Sequence, residues 1–295
     1  MKQSVLGIVG GSGFYTLPGL DNARWVAVKS PWGTPSDDIL FAEVAGPDGP
    51  LQVRFLPRHG RGHKLSPSSI DYRANIDALK RSGVTDLVSI SACGSFREEL
   101  APGHFVIVDQ FIDRTFAREK SFFGTGLVAH VAMGDPVSPL LADAVEAAIR
   151  AEGITCTRGG TYLVMEGPQF STRAESNLYR SWGCSVIGMT NMPEAKLARE
   201  AELTYAVVAM VTDYDCWHDD HQHVDVAAII KVMQVNTVNA QRVVQRLARD
   251  FPRNHPDCPI GSDRALDVAI ITAKEARDPA LVAKLDAVAG RVLGV

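Results

Sequence analysis

The chain has 295 residues, 46% of them hydrophobic, enough for one large core or two modest ones, and no Ser/Gly- or Pro-rich linker divides it. With 30 basic against 34 acidic residues the net charge is -4, and no basic stripe or long like-charge block supports a nucleic-acid or membrane-surface partner. No apolar run approaches a membrane span and no signal-like core follows Met1, so a cytoplasmic location is expected. The five cysteines (Cys93, Cys156, Cys184, Cys216, Cys258) form no C-x-x-C pair and read as reduced thiols, not as zinc ligands or a disulfide frame.

Ser4 to Val9 is a short apolar run that stops at Gly10-Gly11-Ser12-Gly13, the pattern of a buried strand feeding a glycine loop. Further strands are expected at Ile39 to Val44, Leu51 to Leu56, Asp86 to Ser91, Phe105 to Ile112, Thr161 to Met165, Ser185 to Met189 and Tyr205 to Tyr214. Ser66-Pro67 supplies an N-cap and a first-turn proline for a helix to Arg81 that Gly83 ends. Ser138-Pro139 repeats the signature for a helix to Glu152, closed by Gly153. Thr172-x-x-Glu175 is a capping box opening a helix to Trp182. Pro193 starts another, and Asp225 precedes a long one through Leu247. After a Pro/Asn/His loop from Phe251 to Cys258, the tail from Ser262 reads as one or two helices with a restart at Asp278-Pro279. This alternation predicts an α/β fold with a mixed central β-sheet flanked by helices, since several connections are too short for crossovers. Residues 1–250 are expected to form one domain, with 251–295 a helical extension packed on it.

The run from Tyr205 drives an apolar strand into two carboxylates, Asp213 and Asp215, with Trp217 as an aromatic neighbour. Open α/β sheets bind ligands at such strand ends. Two carboxylates against a hydrophobic wall do not both ionise cheaply, so one is expected to hold a proton near neutral pH. Such a pair donates one hydrogen bond and accepts others, which suits a heteroaromatic base carrying a ring nitrogen and an exocyclic amine. Two solvated acids capping a turn are the plain alternative.

Other strand ends carry groups suited to an anion. Gly10 to Gly13 offers convergent backbone N–H groups and the Ser12 hydroxyl, without the spacing of a P-loop or a dinucleotide fingerprint; a simple tight turn has the same sequence. Arg58 and His59 follow the Leu51 strand, Arg58 with a bidentate fork for phosphate and His59 with a second donor, although a solvated basic loop fits as well. Ser91-Ala92-Cys93-Gly94-Ser95 is small enough for a ligand to approach the backbone, and Cys93 fits a packing thiol better than a nucleophile. Met189-Thr190 places a thioether and a hydroxyl at another strand end. The cluster His218 to His223, with His218, Asp219, Asp220, His221 and His223, supports a rival metal-dependent hydrolase, against which stands its position in one polar loop.

The motifs IVGGSGFY, RHGRGH, YRANIDALK, SACGSFREEL, DQFIDRT, EGPQFSTRAES, GMTNMPEAKLARE and VTDYDCW, in this order from Leu6 to about Ile230, resemble the trimeric purine nucleoside phosphorylases and, within them, the S-methyl-5'-thioadenosine phosphorylases. The resemblance implies a nucleoside phosphorylase-like domain, a homotrimer or a dimer of trimers, inorganic phosphate as co-substrate and no metal or organic cofactor. It implies that Ser12, Arg58, His59, Ser91, Ala92 and Thr190 hold phosphate, that Met189 contacts the ribose, and that Phe170 stacks on the base. Asp213 and Asp215 would read the adenine and carry the proton chemistry. Val224, Val226 and Ile229 would wall the 5'-methylthio group, and His130 would reach in from a neighbouring subunit. Resembling 6-oxopurine enzymes place Asn at position 213 and Glu at 171, whereas this chain has Asp213 and Ser171, favouring a 6-aminopurine over inosine or methylthioinosine. The animal enzymes carry Asn and Thr where this chain has Gly188 and Ser91, and the tail after Phe251 falls outside the resemblance.

Overall fold

The computed structural model describes residues 2–11, 19–218 and 226–295. Among these, eleven strands form one mixed sheet. The strands are β1 (Val5–Gly10), β2 (Asp21–Val26), β3 (Ile39–Val44), β4 (Leu51–Pro57), β5 (Asp86–Ser95), β6 (Phe105–Ile107), β7 (Gln110–Arg114), β8 (Cys156–Arg158), β9 (Thr161–Met165), β10 (Val186–Gly188) and β11 (Thr204–Asp213). The helices are α1 (Tyr72–Arg81), α2 (Pro139–Ala151), α3 (Arg173–Ser181), α4 (Asn191–Glu200), α5 (Val226–Asp250), α6 (Pro279–Lys284) and α7 (Asp286–Leu293).

β5 organises the sheet because it outlasts its neighbour. Its first half pairs in parallel with β1, from Leu6 opposite Asp86 to Gly10 opposite Ile90, and β11 runs parallel along its other edge from Asp86 to Gly94. Where β1 stops, β5 continues and turns to pair antiparallel with β10, Val186 opposite Ser95. β1, β4, β5 and β11 are mutually parallel through these pairings and all end on one side, leaving a crevice where β5 changes partners. Both central strands are near-continuously buried, as two-sided cover demands.

Two cores sandwich the sheet. On one face α1 and α4 bring Ile76, Leu79, Leu197 and Ala198 against Val9, Leu87 and Val207; on the other α2 and α5 bring Val145, Ile149, Val244 and Leu247 against Ile8, Val88 and Val208. Each of these Val, Leu and Ile side chains contributes about 1.5–3 kcal/mol when withdrawn from water. The tail joins the first core through Leu266, Leu285, Val288 and Ala289. Polar ties reinforce it: Arg291 Nε donates to Glu202 at 2.8 Å, and His255 Nδ1 lies 2.9 Å from Asp86 Oδ2.

Four local expectations change. Pro67–Ser69 forms only a short 3₁₀ turn, Ile70 is extended, and α1 begins after Asp71, whose carboxylate accepts from Ala74 N. The expected strand from Phe105 to Ile112 is two, because β6 pairs with β11 and β8 whereas β7 crosses to β9. β2, an exposed edge strand, and the three-residue β8 carry too little apolar pattern to be read from sequence. α4 starts at Asn191, with Met192 held extended (φ -121°, ψ 130°) by the proline that follows. The capping box at Thr172 and the Ser138 cap form as read. Replacing the true cap, Asp71→Ala, should cost about 1 kcal/mol in urea unfolding, whereas Ser66→Ala should stay within about 0.5 kcal/mol.

Candidate active site

The crevice is a cavity of about 280 Å³ lined by the ends of β1, β4, β5, β10 and β11 and by one side of α5. Two ends of opposite chemistry meet in it. The first gathers Gly11, Arg58, His59, Ser91, Ala92 and Thr190; the second holds Thr212, Asp213 and Asp215. Between them lie Met165, Phe170, Ile187, Met189, Met210, Ile229 and Met233.

Asp213 reaches the cavity because β11 bulges. Val211 pairs with Cys93 and Asp213 with the next residue, Gly94, so Thr212 is extra and the strand end is re-aimed. Gly94 leaves the room, since a Cβ there would stand 2.9 Å from Asp213 Oδ1. Asp213 is fixed by two donors, Thr212 Oγ1 at 2.7 Å and Asp215 N at 2.8 Å. Burial still pushes its carboxyl above the ordinary range, these donors notwithstanding. Asp215 sits in the left-handed region at φ 53°, is 4% exposed, and among the described residues its Oδ2 has no hydrogen-bond partner. Burial, helped by the charge on Asp213 and opposed by the nearby Ser176 hydroxyl, raises its pKa to about 6. The pair is therefore two carboxyls that both take a proton more readily than an exposed acid, Asp213 held in place by its donors and Asp215 with a free oxygen. Trp217 does not line the cavity; its Nε1 donates to Ser95 O at 2.7 Å and Arg180 lies over its ring at 3.6 Å, pinning the turn that carries Asp215.

At the other end Arg58 borders the cavity but its guanidinium, 2% exposed, is committed inward. Nε and Nη2 grip Glu194 at 2.9 and 3.3 Å, Nη2 also donates to Ser89 Oγ, and Nη1 donates to Ile90 O. The fork expected to grasp phosphate thus grasps a carboxylate of α4. His59 donates Nδ1–H to Leu65 O at 2.8 Å and stacks on His63 at 4.2 Å. Burial and the adjacent Arg58 charge lower its pKa to about 4, so at neutral pH Nε2 is an acceptor and not the donor expected from sequence. Ser91 Oγ lies 3.2 Å from Thr190 Oγ1. Cys93 is buried, and burial together with Asp213 pushes its thiol pKa up, which leaves it a packing group.

Of the remaining expected residues, Ile229 and Phe170 line the cavity, Phe170 being 52% exposed. His130 lies outside its own chain's cavity, with its backbone N bonded to Ala269 O. Ser12 and Val224 fall outside the described residues, as do His221, His223, Asp219 and Asp220; Val226 opens α5 but its side chain also falls outside them. Among the described residues no group of three or more His, Cys, Asp and Glu is placed to hold a metal. Met233 and Thr237 were missed, although they follow Ile229 at intervals of four on one face of α5. Arg118 was missed too: buried, it donates to Met189 O at 2.6 Å, Met192 O at 2.7 Å and Glu166 O at 2.7 Å, holding the loops on either side of the cavity.

A parallel-sheet crevice that joins an anion end to a carboxylate pair across a thioether-lined wall suits a nucleoside and an oxyanion held together. The model of the phosphorylase superfamily matches residues 5–249. The S-methyl-5'-thioadenosine phosphorylase of Bradyrhizobium diazoefficiens is 65% identical over 99% of each chain, and that of Cereibacter sphaeroides 61% identical over 99% of each. A crystal structure of methylthioadenosine phosphorylase from an antarctic soil metagenomic library matches with a TM-score of 0.90 at 45% identity, covering 98% of this chain and 99% of that one. A mutant adenosine/methylthioadenosine phosphorylase from Schistosoma mansoni, solved with methylthioadenosine, matches with a TM-score of 0.75 at 34% identity, covering 83% and 91%. The chain belongs to the phosphorylase superfamily and, within it, to the S-methyl-5'-thioadenosine phosphorylase family.

The Asp215 carboxyl sets a pH dependence of stability. It holds its proton to about pH 6 when folded, against about 3.9 when unfolded. The folded state binds the extra proton between those values, so stability falls as pH rises through this window and stays lower above it. Asp215→Asn cannot ionise and should gain on the order of 2–3 kcal/mol relative to wild type between pH 4 and pH 8 in urea unfolding.

Proposed function

We propose that the chain catalyses phosphorolysis of S-methyl-5'-thioadenosine to adenine and 5-methylthioribose 1-phosphate, a pentosyl transfer to phosphate. The observation that carries this reading is the shared cavity: Asp213 and Asp215 border the same space as Ser91, Ala92 and Thr190 in a chain 65% identical to a phosphorylase of that name. Breaking an N-glycosidic bond builds positive charge on the ribose and negative charge on the purine. Phosphate held beneath the sugar by Ser12, His59, Ser91, the Ala92 backbone and Thr190 stabilises that cation and attacks it. Arg58 serves this end by fixing the strand ends through Glu194. The carboxyl pair supplies the proton that purine N7 takes on leaving, while an ionised Asp accepts from the exocyclic amine. A 6-oxo group meets that carboxylate lone pair to lone pair and is disfavoured. Phe170 covers the base and Met189 lies under the ribose. Ile229 borders the part of the cavity that we assign to the methylthio group, and the family resemblance assigns Val224 and Val226 to the same group.

The working form we infer is a homotrimer, or a dimer of trimers, with His130 completing a neighbour's site. Exposed apolar side chains near His130 support it: Val128 is 38%, Ile271 65% and Val268 92% exposed, and residues 128 to 130 pair with residues 269 to 271. No helix among the described residues is long and apolar enough to cross a membrane. The reading includes a cytoplasmic location, phosphate as the sole co-substrate, and a catalytic unit over residues 1–250 with 251–295 as its extension.

Adenine release from methylthioadenosine, followed by chromatography, should vanish when phosphate is omitted; hydrolysis that continues without phosphate removes the reading. Asp213→Asn should lower that turnover about 100-fold or more while raising the relative use of inosine, and wild-type rates in this variant would remove Asp213 from the mechanism.

A further inference from the structure

Tyr162, on β9, is wholly buried, and its hydroxyl points at the anion end of the cavity from behind. Its Oη lies 3.0 Å from Ser91 Oγ, which lies 3.2 Å from Thr190 Oγ1. Three hydroxyls thus form a row ending at two residues of the cavity wall. The space for the phenol exists because residue 188 is glycine: a Cβ there would stand 1.8 Å from Tyr162 Oη and 2.7 Å from Cζ.

The row has a direction. A buried phenol keeps its proton, since burial disfavours the phenolate. An unsatisfied buried donor costs about 1–3 kcal/mol. Among the described residues Ser91 Oγ is the one acceptor within hydrogen-bond distance of Oη, so the phenol donates to it. Ser91 Oγ, receiving from the phenol, has one hydrogen to give and two acceptors at 3.2 Å, Thr190 Oγ1 and Ala92 O; when it goes to Thr190, the Thr190 hydrogen is left for the cavity. A chain that starts at a pure donor presents O–H at its far end. Such an end matches an acceptor-rich tetrahedral oxyanion.

We propose that Tyr162 is a positioning residue for the anionic co-substrate, its buried hydroxyl fixing that of Ser91 so that Thr190 presents its hydrogen toward phosphate, with Gly188 required to admit the ring. The proposal rests on the phosphorolytic reading and deepens it.

The test is Tyr162→Phe, which removes one oxygen, alone and combined with Ser91→Ala. Inorganic phosphate binding is measured by calorimetry, and the KM values for phosphate and methylthioadenosine are measured separately. Tyr162→Phe should weaken phosphate about 5- to 20-fold with the nucleoside KM within about twofold, and should add less than about twofold once Ser91 is Ala. Gly188→Ala, which drives the phenol away, should give the same phosphate-selective loss and serves if Tyr162→Phe does not fold. Unchanged phosphate affinity, equal loss for both substrates, or a full effect of Tyr162→Phe in the Ser91→Ala background overturns the proposal while wild type still binds phosphate and turns over. A wild-type chain that neither binds phosphate nor cleaves nucleoside overturns the functional reading, and this proposal with it.

Discussion

The Arg58–Glu194 pair is the tie on which the crevice depends. One guanidinium, buried at the end of β4, bonds a carbonyl of β1 (Val9), a hydroxyl and a carbonyl of β5 (Ser89, Ile90) and the carboxylate of α4. Tyr205 of β11 adds its hydroxyl to Glu194 at 2.9 Å, so every parallel strand that ends at the cavity reports to this one contact. A buried ion pair adds little net stability over apolar packing, but losing one partner strands a charge at a cost of about 3–5 kcal/mol. Its value here is registry: strand ends bearing small residues and hydroxyls keep fixed spacing around a space that apolar contacts alone would let close.

Around that tie, charge is separated across the cavity. Gly11, Ala92, the Ser91 and Thr190 hydroxyls and His59 gather at one end, and the two aspartates at the other. Thioethers and rings line the space between them, and a low local dielectric strengthens polar contacts at both ends. The two ends differ in cost: His59 stays neutral above its lowered pKa of about 4, whereas Asp215 gives up its charge only as the pH falls to about 6, so the carboxyl end carries the strain at neutral pH.

Much of this was legible in the chain. Continuous apolar runs gave away β1, β5 and β11, and carboxylates at the end of the longest run marked one end of the cavity, although two acids capping a turn would read the same way. Features that depend on non-local pairing were not legible. The bulge at Thr212 needs the register against β5, the split of β6 from β7 needs the sheet's branching, and the cap at Asp71 competes with an equally good pattern at Ser66-Pro67. Arg58 shows the limit most clearly. Its residue type suits an external anion, and nothing local in the sequence shows that the fold also supplies an internal one, Glu194, 136 residues away.

α5 joins two regions that would otherwise be separate. Near its start Ile229, Met233 and Thr237 wall the cavity; further along, Val243, Val244 and Leu247 sit in the core, and Arg246 reaches Glu152 just past α2 at 2.9 Å. The cavity half of the helix is anchored as well, since buried Asn236 donates Nδ2 to Val211 O at 2.9 Å, which sets the wall formed by Ile229, Met233 and Thr237 at a fixed distance from the end of β11. One straight element thus carries the spacing of the deep core out to the rim of the crevice.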